Sequence, residues 1–165
     1  MKPSRLPEIF MVAMLACTAP APALAQHDMA HGPGYPEGFD EPMPLAPAGL
    51  GPLSRSVTTT SPEAQAYFDQ GLQLLYAFTP TDAARSFREA QKRDADCAMC
   101  YFGEAWAWGP YLNGAMREAD APRAYAAIQK ALEVAPQHAS PVEQAMIEAM
   151  ACGTPALGLG VAGAR

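Results

Sequence analysis

The sequence predicts an all-α protein: an α-solenoid of antiparallel helix pairs, about two hairpins followed by one unpaired helix. Two observations predict it. First, Ala83, Phe87, Ala90 and Ala95 are answered in register, 41 residues on, by Ala124, Ile128, Ala131 and Pro136. Each set puts small, large and small residues at i, i+4 and i+7, one face of a helix, with a turn residue five positions later. The small residues admit a neighbouring backbone and the large one fills the gap between helices. Such a pattern repeated at fixed separation marks stacked helical hairpins. Second, helix starts recur along residues 61–150, each a hydroxyl, acidic or proline signal followed by apolar residues at helical spacing.

The first quarter of the 165 residues is not expected to join that fold. Lys2 and Arg5 give a basic start, Ile9 to Ala16 form a short apolar run, and Ala23-Leu24-Ala25 is an A-x-A site. This order predicts a signal peptide over 1–25, cleaved before Gln26, and an exported, periplasmic or secreted protein. The apolar run is too short for a permanent membrane span. Met14-Leu15-Ala16-Cys17 resembles a lipobox in part, so a lipoprotein anchored at Cys17 is the alternative. Removing Lys2, Arg5 and Glu8 from the 11 basic and 17 acidic residues leaves a net charge of −7. That balance argues against nucleic acid as a partner, because binding it requires clustered Lys and Arg.

Residues 26–60 are rich in Pro and Gly, without a periodic apolar face, and predict a disordered arm, in which Val57-Thr58-Thr59-Thr60 can make a short extended segment leading into the fold. Ser61-Pro62-Glu63 then starts a helix with a cap, a proline at the first position and an early acid. Phe68, Leu72 and Leu75 form its stripe, and it should reach about Phe78. Thr79-Pro80-Thr81-Asp82 repeats the start signal for a second helix, ending near Arg93. A third runs from about Asp96 through Met99, Phe102, Trp106 and Trp108 until Gly109-Pro110 stops it. Tyr111 to Ala119 reads as a connection. A fourth, roughly 122–134, stops at Pro136. Ser140-Pro141-Val142-Glu143 is a capping box for a fifth helix reaching about Met150. Residues 151–165 form a low-complexity tail.

The paired helices with A-x-x-x-[F/I]-x-x-A in the second member resemble tetratricopeptide repeats. Gly71 precedes Ala83 by twelve residues, the family's spacing between its first-helix small residue and second-helix alanine. Ala105 takes that place in the second unit, where Ala124 follows nineteen residues later; the extra seven match the long Tyr111–Ala119 connection. Ala95 stands where the family has proline, and Pro136 keeps it. The run Phe68-Asp69-Gln70-Gly71-Leu72, with Cys97 to Asn113, is also similar to exported bacterial repeat proteins of this kind. The resemblance covers roughly 61–150. It implies a concave groove, lined by the first helix of each pair, that receives a protein or peptide. Carried over by register, Phe68, Leu72, Met99, Phe102 and Trp106 face that groove, although a stripe at helical spacing also reads as core. The fifth helix is left without a partner. It implies self-association through Ala145, Met146, Ile147, Ala149 and Met150, or a truncated array without independent function.

Cys97-Ala98-Met99-Cys100 carries the sharpest chemistry. Two thiols on one face of a helix start, beside its positive dipole end, suit a disulfide or a redox-active pair. The βαβ setting of thioredoxin-type motifs is absent, no second C-x-x-C completes a zinc site, and Tyr101 stands where haem attachment needs His. A local structural disulfide and a thiol-redox or metal-handling accessory role both stay open, and a disulfide would leave Cys152 unpaired. His27 and His31, with Asp28 and Met29, are weak candidates for a transition metal, since no fixed geometry holds them. His138 reads as a solvated turn residue. Glu104 is the carboxylate in the most apolar setting. G-x-S-x-G, H-E-x-x-H and phosphate-cradling glycine loops are all missing, so neither enzymatic activity nor a cofactor is expected.

Overall fold

The computed structural model describes residues 38–46, 50–110 and 114–153. The expected signal peptide, His27, His31, Cys17, Tyr111 and residues 154–165 lie outside the described residues.

Among the described residues five α-helices follow one another: α1 (Pro62–Tyr76), α2 (Pro80–Arg93), α3 (Ala98–Trp108), α4 (Ala121–His138) and α5 (Pro141–Gly153), with a 3₁₀ turn at Glu118–Asp120 before α4. Each helix packs on its neighbour in sequence, and α1 and α5 also touch α3. The described residues are all-helical in character, and none of these helices is long and apolar enough to cross a membrane.

Local chemistry accounts for the boundaries. The Ala64 N–H donates to the Ser61 hydroxyl at 3.1 Å, capping α1 with Pro62 in its first turn. α1 stops at Tyr76, short of the expected Phe78. Thr79 N–H returns to the Leu74 carbonyl and Phe78 N–H to Leu75, the pairing of a Schellman cap with Phe78 at the left-handed position, φ 62°. The Thr79 hydroxyl donates to that same Leu74 carbonyl at 3.0 Å, so it does not cap α2 as its sequence suggests. α4 runs through Pro136 to His138, past its expected stop. In the last turn a proline removes only one backbone donor, and Ala139, in extended conformation, ends the helix by donating to Ala135. The capping box at α5 forms: Ser140 N–H donates to Glu143 Oε2 at 2.7 Å, and Glu143 N–H to Ser140 Oγ at 3.4 Å.

The core contains the internal echo. Ala83, Phe87 and Ala90, and likewise Ala124, Ile128 and Ala131, are buried at 2% exposure or less. Phe87 is central. Its ring lies 5.4 Å from that of Phe68, and a Cβ built on Gly71 of α1 or Gly103 of α3 would sit 2.7 or 2.5 Å from its ring atoms. Those two glycines let the backbones of α1 and α3 close on one phenyl group.

Two expectations are corrected. Residues 50–60 are not a loose arm. Their backbone polar groups are taken up by side chains of the helices, and Val57 packs against the core. Phe39 is a core residue 4% exposed, its ring 5.4 Å from Trp108. Nor does α5 lie open along the whole of its expected face. It buries Ile147 completely and Met146 and Met150 partly against the rest of the fold, while Val142, Ala145 and Ala149 stay exposed.

Candidate functional site

Two parallel rows of side chains run along α1. The apolar row is Phe68, Leu72 and Tyr76 at i, i+4 and i+8. Beside it α3 offers Met99, Phe102 and Trp106 at i, i+3 and i+7. Together they line a cavity of about 170 Å³, closed at its edge by Leu53, Arg55 and Met146 of α5. All five groove candidates of the sequence thus share one cavity. Phe68, Leu72, Met99 and Phe102 are its floor, 2–6% exposed, and Trp106 stands at the rim at 36%. Tyr76, 61% exposed, meets Trp106 edge to face at a centroid distance of 6.2 Å, and Phe102 meets it at the same distance. The sequence reading missed Tyr76, although its spacing from Phe68 and Leu72 was the signal. It also missed Leu53 and Arg55, which carry no periodic signal, and placed Met146 on the open face of the fifth helix instead of at the groove.

The second row on α1 is polar: Gln65, Asp69 and Gln73, again four apart. Gln73 Nε2 donates to the Leu53 carbonyl at 2.7 Å, and Arg55 N–H donates to Asp69 Oδ1 at 2.9 Å. Residues 53–60 thus form a strap along the helices, and Gln65 binds two of them, donating to the Arg55 carbonyl at 2.9 Å and accepting from Val57 N–H at 3.0 Å. Ser54 Oγ donates to Asp69, and Arg55 Nη2 lies 3.0 Å from Met146 Sδ. The strap is then pinned by two more carboxylates. Thr58 donates to Glu143 through its N–H and its hydroxyl, and Thr59 Oγ1 and Thr60 N–H donate to Asp94. Burial pushes the Glu143 carboxyl up, but the hydrogen bonds from Thr58 and Ser140 outweigh it and leave it below its ordinary value. Asp94 is likewise raised by burial and lowered further by Thr59, Asp96 and Thr60, with a net depression.

Cys97 and Cys100 are joined in a disulfide with Cα atoms 5.3 Å apart, and both are 0% exposed at the start of α3. Thiol exchange requires an attacking thiolate to reach sulfur, and here the sulfurs lie inside the core. Cys152 is an exposed free thiol. Glu104 is buried beside Gln91 Nε2 at 2.8 Å, Trp108 Nε1 at 3.4 Å and Arg88 Nη1 at 3.5 Å, a satisfied structural carboxylate. His138 closes α4, 3.7 Å from Asp96, on an open cleft that also includes Thr58 and Asp94. Among the described residues no three His, Cys, Asp or Glu side chains are placed to hold a metal ion.

Compared with protein-family models, curated proteins and solved structures, the chain finds no match.

Proposed function

We propose that this chain is a helical scaffold that binds an extended protein or peptide segment along the groove between α1 and α3. On this reading α1 with α2 and α3 with α4 are two hairpins of tetratricopeptide type, and the first helix of each lines their shared concave face. The reading includes export to a bacterial envelope compartment and a role in binding, not catalysis.

One observation carries it: Phe68, Leu72, Met99, Phe102 and Trp106, drawn from two helices, share one cavity whose rim exposes Tyr76 and Trp106. Aromatic and Met side chains dominate binding energetics because they offer large, adaptable apolar contacts at low entropic cost. The cavity's volume falls below the about 300–1,000 Å³ usual for small-molecule sites. It suits a single anchoring side chain better than a cofactor. The floor is already packed, so binding needs little reordering of the side chains beneath the peptide.

The test is selection of linear peptides from a random library with the full chain, followed by affinity measurements on Trp106→Ala and Tyr76→Ala. Both positions are exposed, so the fold should persist. Selected peptides should weaken at least tenfold on either variant. Undiminished binding to both variants, or failure to select any peptide, would refute the reading.

A further inference from the structure

Residues 53–57 lie on α1 in a regular way. Leu53 pairs with Gln73, Arg55 with Asp69 and Val57 with Gln65, so the strap advances two residues for every four that the helix falls back. The two pitches match. Four helical residues rise about 6.0 Å and two extended residues about 6.6 Å. The polar row therefore reads successive backbone groups of an extended chain running opposite to α1, largely whatever its side chains. Next to that row lies the apolar groove, and the strap borders it with Leu53 and Arg55 alone. Residues 53–56 are solvent-exposed and held by hydrogen bonds with little apolar burial. Such a contact can exchange.

We propose that Gln65, Asp69 and Gln73 form a track for an extended peptide, and that residues 53–57 are its resident occupant in cis. The incoming partner is a linear segment with an apolar residue two positions before a cation, the pattern Leu53-Ser54-Arg55 displays. It displaces the strap, lies antiparallel to α1, and sets its apolar side chain at the groove edge where Leu53 sits. This inference deepens the groove reading and rests on it. The strap is tethered to the first turn of α1 by only a few residues, so it competes at high effective concentration and keeps the free protein's affinity low.

The probe is a fluorescent synthetic peptide with the sequence of residues 50–60, titrated into the full chain. Arg55→Pro removes the N–H that Asp69 accepts and, from the groove's edge, the guanidinium beside Met146, while leaving the track and the groove's floor of Phe68, Leu72, Met99 and Phe102 in place. This variant should bind the peptide at least tenfold more tightly than the unaltered chain. Adding Asp69→Ala and Gln73→Ala to it should abolish the gain. Equal affinity of the unaltered chain and Arg55→Pro, or no binding by either, overturns the exchange. Should Arg55→Pro fail to fold, hydrogen exchange on the unaltered chain decides: added peptide should speed exchange of the Arg55 and Val57 amides, and unchanged rates overturn the proposal. The two readings fail separately. Library peptides that depend on Trp106, with no exchange of the strap, leave the groove standing without the track. Strap exchange that depends on Asp69, with binding indifferent to Trp106 and Tyr76, leaves the track without the groove.

Discussion

Gly103→Ala should destabilise the protein, although alanine is the better helix former. In the interior of α3 the exchange by itself would gain about 1 kcal/mol of helix propensity. The new Cβ, however, would sit 2.5 Å from Cδ1 and Cε1 of Phe87 and 2.8 Å from Cγ. Phe87 is 0% exposed, and Gly71 approaches the same Cδ1–Cε1 edge from α1, so the ring is hemmed in by two backbones. Overpacking of this kind costs about 1–3 kcal/mol. The net loss is then up to about 2 kcal/mol, read as a lower urea midpoint with unchanged m-value. A double-mutant cycle with Phe87→Leu isolates the clash. In that background, already weakened by the lost ring, Gly103→Ala should be neutral or stabilising, with a coupling of about 1–3 kcal/mol. If Gly103→Ala alone raised stability by the full propensity gain, the close approach of α1 and α3 over Phe87 would be wrong.

Three further outcomes follow from the same geometry. Phe78→Gly should stabilise the fold by about 0.5–1 kcal/mol, read as a higher urea midpoint, because a left-handed residue other than glycine costs about 1–2 kcal/mol, glycine's larger chain entropy returns part of that, and the 70% exposed side chain gives up little packing; a lower midpoint would mean the phenyl ring has a packing role. Glu143 and Asp94 have depressed carboxyl values in the fold, so the stability they contribute is present above the ordinary carboxylate range and is lost as pH falls through the depressed folded values. Melts should be insensitive to these groups from about pH 8 to pH 5 and weaken below about pH 4, with Glu143→Gln showing a shallower acid loss; an identical acid profile for the variant would contradict the role of Glu143 in holding the strap. Alkylation of the native chain under mild reductant should modify Cys152 and spare Cys97 and Cys100 until unfolding, whereas prompt modification of either member of the buried pair would revive the thiol-redox reading.

The helices were largely legible because their signals are local. Ser61-Pro62-Glu63 and Ser140-x-x-Glu143 announce starts, and Ala83, Phe87 and Ala90 declare one buried face. What escaped depends on contacts between distant residues. Residues 53–60 have no apolar period because their order comes from side chains on α1, α5 and Asp94 that capture backbone groups, and such capture leaves no pattern in the captured segment. Phe78 hid a left-handed cap because glycine is the usual signal there. Pro136 was over-read as a stop, since a proline that removes one donor in a last turn does not end a helix. In the candidate site, spacing found the five floor and rim residues but could not separate packed floor from exposed rim. That distinction rests on where α5 and the strap fall.

Methionine-methyl NMR on the full chain, titrated with a library-selected peptide, tests the central claim most directly. Met99 and Met146 line the groove between α1 and α3, whereas Met116 lines a separate cavity near Trp108 and Asp120. The Met99 and Met146 methyl resonances should shift with the peptide's own dissociation constant while Met116 stays in place. Shifts at Met116 with Met99 and Met146 unmoved would contradict the account.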